Sequence, residues 1–251
     1  MQPTLGADGD DDVVSELSDA GRRVRWVCVV PVKGSAGAKS RLGDLPAAFP
    51  ARGELAQAFA MDTVAALLAA SPVDVVLVVT ADSNAAAALA ALGAQIVPEP
   101  PQASYGKLDP LNAAVREGIR VAHARYPHSN VAVFTGDLPA LTVRDVESTL
   151  GTASAHNLAM VADAEGTGTT ALLARAGTPV SARFGAGSRA AHEAAGHVQL
   201  DLPADSSIRR DVDTVDNLAE VLRRGVGQHT SALIACPGSG QASAAQRWSR
   251  P

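Results

Sequence analysis

Several features that would suit a secreted, membrane or disulfide-linked protein are scarce in this 251-residue sequence. Its two cysteines, Cys28 and Cys236, are too distant to form a metal-ligand spacing or a disulfide framework, so a reducing cytoplasm is the expected location. No apolar run approaches the ~20 residues that a membrane helix needs. Residues 1–21 are acidic and contain no apolar stretch of the kind found in signal peptides. We therefore expect no membrane partner.

Positive charge is also limited. The net charge is −5 and no long basic run occurs, which argues against nucleic acid as a partner because a phosphate backbone needs a clustered Lys/Arg face. Aromatic residues make up 3% of the chain, and we assign Trp26 and Phe59 to the core or its rim rather than to base stacking. The six histidines have no metal-ligand spacing and are expected at the surface. No catalytic serine or cysteine motif is present.

What remains is a chain with 47% hydrophobic residues, enough for one substantial core. We predict a disordered acidic arm at 1–23, a folded domain at 24–225 and a flexible tail at 226–251. Within the domain, β-branched runs alternate with Ala/Leu-rich stretches, which predicts an α/β fold with a mostly parallel sheet. The strands are predicted at 25–32, 73–80, 94–97, 130–134, 158–161, 170–174 and 198–202. The helices are predicted at 50–70, 82–92, 109–125, 142–150, 188–195 and 215–224. The second half is expected to add strands to the same sheet.

Ligands of open parallel sheets bind at the carboxyl ends of the strands, so the strand exits are the places to look for chemistry. The first predicted strand ends in a segment of small residues with three cations, Lys33, Lys39 and Arg41. Small residues let backbone N–H groups approach a phosphate, and cations neutralise its charge. The spacing is not that of a P-loop. A mobile loop with solvated cations is an equal alternative.

A second exit carries a carboxylate. Asp137 follows the strand predicted at 130–134, with a glycine before it and a proline two residues after. A carboxylate held at this edge of a sheet suits Mg²⁺, a hard cation that prefers oxygen ligands. The alternative is an aspartate that only caps a turn.

Asp211 and Asp213 form the next candidate. An Asp-x-Asp pair on an extended stretch places both carboxylates on one face, which is unfavourable without a nearby cation. In the alternative, Asp213 or Thr214 caps the closing helix, and Asp211 is solvated or paired with a neighbouring arginine. Together with Asp137, the pair could hold metal ions for phosphoryl chemistry.

Two loops of small residues complete the set. One runs from Gly166 to Thr170 and the other from Arg183 to Ser188. Hydroxyls, backbone N–H groups and the start of a helix after Ser188 could hold an anion. For either loop alone, a hairpin turn or an ordinary helix cap is the more economical interpretation.

The ordered set of motifs between residues 26 and 222 resembles the 2-phospho-L-lactate or phosphoenolpyruvate guanylyltransferases of coenzyme F420 biosynthesis. No single motif is specific for this family, but the ordered set of motifs is. The motifs are Lys33-Gly34, Lys39-Ser40-Arg41-Leu42, Asp109-Pro110-Leu111-Asn112, Gly136-Asp137-Leu138-Pro139, Gly166-Thr167-Gly168-Thr169, Arg183-Phe184-Gly185 with Ser188, and Asp211-Val212-Asp213-Thr214.

The resemblance implies a cytoplasmic enzyme that transfers GMP from GTP to a small phosphorylated acid, phosphoenolpyruvate or 2-phospho-L-lactate, and releases pyrophosphate. It implies a single-domain nucleotidyltransferase fold, a three-layer sandwich of the GT-A type related to the molybdenum-cofactor guanylyltransferases. The metal would be Mg²⁺, as two ions. A transient contact with the enzyme that consumes the product is also expected.

The resemblance also assigns roles to individual residues. The implied metal ligands are Asp137, Asp211 and Asp213, and the implied catalytic residues are Asp137 and Lys39. The implied contacts to GTP are Lys33, Gly34, Lys39, Arg41 and Asn112. The implied contacts to the acid are Thr169, Gly185 and Ser188.

Two alternatives stay open on the sequence. One is a transferase of the same fold that acts on a molybdopterin or a sugar phosphate. The other is a catalytically silent protein that binds nucleotide and recruits a partner.

Overall fold

The computed structural model describes residues 25–33, 42, 45, 49–106 and 108–235. The predicted arm at 1–23 and the predicted nucleotide-loop residues Gly34, Lys39 and Arg41 lie outside the described residues. Seven strands form one sheet in the order β3-β2-β1-β4-β6-β5-β7. They are β1 (Trp26–Pro31), β2 (Val73–Thr80), β3 (Gln95–Pro98), β4 (Asn130–Phe134), β5 (Leu158–Ala162), β6 (Thr169–Ala174) and β7 (Val198–Gln199).

Helices cover both faces of the sheet and produce three layers. They are α1 (Arg52–Ala69), α2 (Ser83–Ala91), α3 (Pro110–Arg125), α4 (Val143–Ala153), α5 (Ser188–Ala194), α6 (Val215–Arg224) and α7 (Gln228–Ala235). Alternate residues of β1 point to opposite faces. Cys28 and Val30 join the core beneath α1, α2 and α4, whereas Val27 and Val29 join the core beneath α3. Both faces of β1 are thus buried, as its unbroken apolar sequence predicts.

The sheet changes its direction of growth between β1 and β4. The chain adds β2 and then β3 on one side of β1, with α1 and α2 on one face of the sheet, and then crosses back under α3 to place β4 on the other side. β1 pairs in parallel with both β2 and β4. At such a switch point the loops leave the carboxyl ends of the two strands in opposite directions and open a crevice.

The second half extends the same sheet, as predicted. β5 and β6 form an antiparallel hairpin, and β6 also pairs antiparallel with β4. β7 pairs in parallel with β5 but is shorter than the strand predicted at 198–202. The fold is therefore a mostly parallel α/β sandwich in which β6 is the strand that runs against its neighbours.

The helix starts follow local signals in the sequence. The carboxylate of Asp82 accepts hydrogen bonds from the first turn of α2, and Asp109 does the same for α3, which begins with Pro110. Thr142 caps α4, and Thr214 caps α6 in a capping box with Asn217. These side chains satisfy backbone N–H groups that a helix leaves without internal partners.

The C-terminal region differs from the prediction. Part of the proposed flexible tail is the helix α7, which packs on α1 and brings Leu233 and Ile234 against the small core around Phe59. The buried carboxylate of Asp62 accepts hydrogen bonds from the backbone N–H groups of His229 and Thr230, at 2.9 and 3.0 Å. The prediction of a tail from 226 is therefore wrong up to residue 235, because the partner that holds this helix lies in a distant part of the sequence.

The core assignments hold. Trp26 and Phe59 are both buried, at 1% and 0% exposure. Among the described residues, no helix combines the length and apolar character needed to cross a membrane.

Candidate active site

A cleft of about 480 Å³ opens at the carboxyl ends of β1 and β4, where the sheet changes its direction of growth. Its walls come from the exits of these two strands, the β5–β6 loop, the loop before α5 and the segment before α6. Ala56 of α1 and Leu111 of α3 also line it, so seven separate parts of the sequence meet in one cleft. Its volume lies within the range of small-molecule sites, about 300–1,000 Å³.

Three aspartates meet on one side of the cleft. Asp137, Asp211 and Asp213 each offer a carboxylate oxygen, and these oxygens lie within 4.8 Å of one another. The backbone N–H of Val212, between the second and third aspartates, donates to the carbonyl of Asp137 at 3.1 Å. This hydrogen bond joins two segments that are far apart in sequence and sets the spacing of the carboxylates.

The Asp137 loop is held from two further directions. The Leu138 N–H donates to the hydroxyl of Thr63 on α1, which in turn donates to the Phe59 carbonyl. A Cβ at Gly136 would lie 3.1 Å from the Pro31 carbonyl oxygen, so a glycine lets the exits of β4 and β1 approach closely. The position of the first carboxylate is thus determined by packed elements, not by a free loop.

The structure distinguishes helix capping from metal binding as the role of Asp213 in the Asp-x-Asp pair. The α6 N-cap is Thr214, not Asp213, and its hydroxyl accepts from the Asn217 N–H at 3.2 Å. Arg209 donates to main-chain carbonyls of β5 and the following residue, and Arg210 pairs with Glu220 at 2.8 Å. Capping therefore does not account for the carboxylate of Asp213.

The β5–β6 loop owes its shape to a buried carboxylate that sequence reasoning missed. Asp163 accepts from the N–H groups of Thr167 and Gly168, at 2.9 and 2.7 Å. These amides are therefore engaged in the loop itself, in agreement with the hairpin interpretation. The loop leads into β6, whose first residue, Thr169, is buried but lines the cleft.

The side chain of Asn112, on α3, holds the loop before α5 through hydrogen bonds to Phe184. The Asn112 side chain accepts from the Phe184 N–H and donates to the Phe184 carbonyl, both at 2.9 Å, and it also donates to Asp109 at 2.6 Å. Those contacts occupy both amide hydrogens and the carbonyl of the side chain. Next in the chain, Gly185 and Ser188 both line the cleft.

Two histidines contradict the surface prediction. His192 on α5 is fully buried and His197 is 3% exposed. The His192 Nε2 lies 2.8 Å from the Arg183 backbone nitrogen, and its Nδ1 lies 2.9 Å from the Thr169 hydroxyl. Burial, assisted by the charges of His197 and Arg183, lowers the pKa of His192 to about 4. His197 packs edge-on against His192, and its pKa is lowered by burial.

The structure brings together most of the residues singled out from the sequence. Those that line the cleft are Lys33, Asp137, Thr169, Gly185, Ser188, Asp211 and Asp213. Asn112 is not part of the lining but holds a loop that is. Asp163 and His192 were missed. A signal for His192 exists in the sequence, since it follows Ser188 by four residues and shares its helix face.

The aspartate cluster is chemically suited to a divalent cation. All three carboxylates are half-buried and offer hard oxygen atoms, and like charges at this spacing are stabilised by a cation between them. The donor set contains no histidine or cysteine, which favours Mg²⁺ or Mn²⁺ over softer metals.

Solved structures share this architecture. A protein from Desulfovibrio desulfuricans, described as a nucleotide-diphospho-sugar transferase, matches with a TM-score of 0.62 and 18% identity, over 84% of this chain and 94% of that one. A 4-diphosphocytidyl-2C-methyl-D-erythritol synthase matches with a TM-score of 0.55 and 14% identity, over 81% of this chain and 100% of that one. The chain therefore has a nucleotidyltransferase fold, and its own carboxylates gather at the switch point of the sheet.

Sequence comparison identifies the family within the nucleotidyltransferases. The chain belongs to the CofC-like guanylyl transferase family, whose profile matches residues 26–236. A phosphoenolpyruvate guanylyltransferase of Streptomyces scabiei is 50% identical over 212 residues, which span 84% of this chain and 97% of the relative. Another of the same name, from Thermomonospora curvata, is 44% identical over 210 residues, spanning 84% and 89%. The resemblance inferred from the ordered motifs is confirmed.

Proposed function

We propose that this protein is a phosphoenolpyruvate guanylyltransferase, which joins GMP from GTP to phosphoenolpyruvate in a Mg²⁺-dependent reaction of coenzyme F420 biosynthesis. The observation that carries the proposal is the meeting of three carboxylates with Thr169 and Ser188 in one cleft. The names of the relatives in the CofC-like family support the choice of acid and nucleotide.

The reaction needs no protein nucleophile. An anionic phosphate oxygen of the acid forms a new bond to the α-phosphorus of GTP, the bond from that phosphorus to the β-phosphate oxygen breaks, and pyrophosphate leaves. The attacking oxygen is already deprotonated, so no general base is needed. Catalysis then consists of holding two anions in line and neutralising the charge that builds up between them.

Different residues of the cleft would bind the metal ions and the triphosphate. Asp137, Asp211 and Asp213 would hold divalent ions, which supply positive charge for the phosphate oxygens. Lys33, exposed at the end of β1, lines the cleft and is suited to the triphosphate. We assign the remaining triphosphate contacts to Gly34, Lys39 and Arg41, as the family resemblance implies, with Lys39 aiding Asp137 in catalysis.

The acid would occupy the wall formed by β6 and the loop before α5. Thr169 and Ser188 offer hydroxyls and Gly185 offers exposed backbone, a set suited to a small carboxylate. For Asn112 the contacts favour a role that differs from the predicted GTP contact. Its amide is engaged with Phe184 and Asp109, so it would position the acid-binding loop without touching the nucleotide.

The test is pyrophosphate release from GTP and Mg²⁺, with phosphoenolpyruvate and 2-phospho-L-lactate supplied separately and with ATP and CTP as nucleotide controls. Exchange of labelled pyrophosphate into GTP in the presence of the acid also detects turnover when the product stays bound. We expect release with GTP and phosphoenolpyruvate. Release only with a molybdopterin or sugar-phosphate acceptor, or GTP binding without any release, would contradict the proposal.

Asp137→Asn examines the role of the carboxylates. It should lower kcat by about 100-fold or more, because the developing charge loses part of its stabilisation. Asp216→Asn is the matched control, since Asp216 lies on α6, is exposed and is not among the clustered carboxylates. Near-normal turnover of Asp137→Asn would exclude the proposed role.

A further inference from the structure

Thr169 is a hydroxyl whose direction decides what it can bind. A threonine hydroxyl can donate or accept a hydrogen bond, and its hydrogen rotates to suit its neighbours. Thr169 lines the cleft but is only 6% exposed, and its Oγ1 lies 2.9 Å from His192 Nδ1. Whether it presents a donor or an acceptor to a ligand therefore depends on which atom of this pair carries the shared hydrogen.

The other ring nitrogen of His192 resolves this question. Nε2 lies 2.8 Å from the backbone nitrogen of Arg183, and an amide nitrogen can only donate. Nε2 must therefore be the unprotonated, accepting nitrogen. A neutral imidazole carries one N–H, so its hydrogen is on Nδ1 and is donated to Thr169. Full burial keeps the ring neutral, since it lowers the pKa to about 4.

A consequence follows for the cleft. Because Thr169 Oγ1 accepts from His192, its own hydrogen is directed elsewhere and is available to a ligand. A donor of this kind suits an anionic oxygen, such as that of a carboxylate or phosphate. With the opposite tautomer the threonine would have to give its hydrogen to the imidazole and would offer only lone pairs to the ligand.

The same imidazole also holds the neighbouring wall. Its bond to the Arg183 N–H fixes the residue that precedes Phe184 and Gly185, and the Phe184 ring packs edge-on against it at 5.3 Å between centroids. Asn112 holds Phe184 from the other side. One side chain thus couples the orientation of the β6 hydroxyl to the position of the Gly185 loop.

We propose that His192 is a positioning residue of the acid-binding site: as a neutral imidazole it orients the Thr169 hydroxyl as a hydrogen-bond donor to the acid and anchors the Gly185 loop. This role rests on the proposed function, because it assumes that the acid binds against Thr169. His192 itself touches neither ligand in this scheme.

Two substitutions separate its two contacts. His192→Gln can place an amide oxygen near the position of Nε2, which keeps the acceptor for Arg183 and removes the donor to Thr169. His192→Asn can place an amide nitrogen near the position of Nδ1, which keeps the donor and removes the acceptor. His128→Gln is the control. His128 is exposed in the turn before β4, at the amino ends of the parallel strands, whereas the cleft lies at their carboxyl ends.

The kinetic readout is the KM for the acid at saturating GTP. We expect His192→Gln to raise it by about 10- to 100-fold, the effect of one misdirected hydrogen bond to a charged group, with the KM for GTP unchanged. In a Thr169→Val background the same substitution should have little further effect, because the hydroxyl that it orients is gone. Equal losses in both backgrounds, or equal effects on both substrates, would mean a merely structural role.

A second measurement does not depend on activity or on the variants folding. Long-range ¹H–¹⁵N spectra of the wild-type protein report which ring nitrogen of His192 carries the hydrogen. We expect Nδ1–H with an unprotonated Nε2. The Nε2–H tautomer would overturn the inference even in an active enzyme. The expected tautomer, combined with a lack of turnover on any acid, would instead count against the proposed function alone.

Discussion

Replacing Asp62 by alanine should release the C-terminal helix α7 from the body of the domain. The Asp62 carboxylate is 5% exposed and bonds to two backbone N–H groups at the start of that helix, those of His229 and Thr230. Nearby, the Gly227 N–H donates to the Pro139 carbonyl at 2.8 Å, close to the aspartate cluster. The helix therefore buttresses the loop that carries Asp137.

The size of the effect can be worked from these contacts. A hydrogen bond to a charged acceptor contributes about 1.5–3 kcal/mol, so the loss of two gives about 3–6 kcal/mol in the free energy of unfolding. Asp62→Asn keeps one acceptor oxygen and should cost roughly half as much. The loss cannot exceed the free energy with which α7 docks, because beyond that value the helix simply detaches.

Urea denaturation of matched chains tests this account. Asp62→Ala is measured in the full chain, in a chain ending at Ala235 and in a chain ending at Val226. The first two should show the full loss. In the third, Asp62 has lost its partners and faces water, so the substitution should change stability by no more than about 0.5 kcal/mol. An equal loss in all three chains would refute the reasoning.

Three further outcomes are expected. Gly168→Ala should raise the KM for the acid about tenfold or more, because a Cβ there would clash with Asp163 Oδ2 and break a loop hydrogen bond; steady-state kinetics at saturating GTP would show it. Asn112→Ala should cost about 2–4 kcal/mol in thermal or urea unfolding, since it leaves the buried N–H and carbonyl of Phe184 without partners. Burial lowers the pKa of His192 from 6.5 to about 4, so the unfolded chain binds its proton first as the pH falls. The native state should therefore lose about 3 kcal/mol between these pH values relative to His192→Gln, and denaturation curves across pH 4–7 that run parallel for the two proteins would contradict this.

Much of the parallel half of the fold could be predicted from the sequence. The unbroken apolar run of β1 and the nearly all-apolar run of β2 indicate strands covered on both faces, and capping signals such as Asp82 and Asp109 mark the helix starts. These signals are local, because a helix cap and a strand period depend on neighbouring residues only. The candidate metal ligands could also be located, since each follows a predicted extended segment and strand ends meet at one edge of a parallel sheet.

The partners of buried polar groups were decided by the tertiary structure. From the sequence, Asp62 is an ordinary helix residue, and only the structure shows that it bonds to α7. Asn112 was predicted as a GTP contact, but its amide is bonded to Phe184, which is 72 residues away in the sequence. His192 lies on a seven-residue helix and reads as a surface histidine, yet the packing of α5 against β5 and β6 buries it and determines its tautomer. Up to residue 224, the sequence by itself determined most of the segments that become strands and helices and most of the residues that carry chemistry. Only the folded chain decided which of those residues face a ligand and which hold the others in place, because that depends on contacts between segments that no local pattern records.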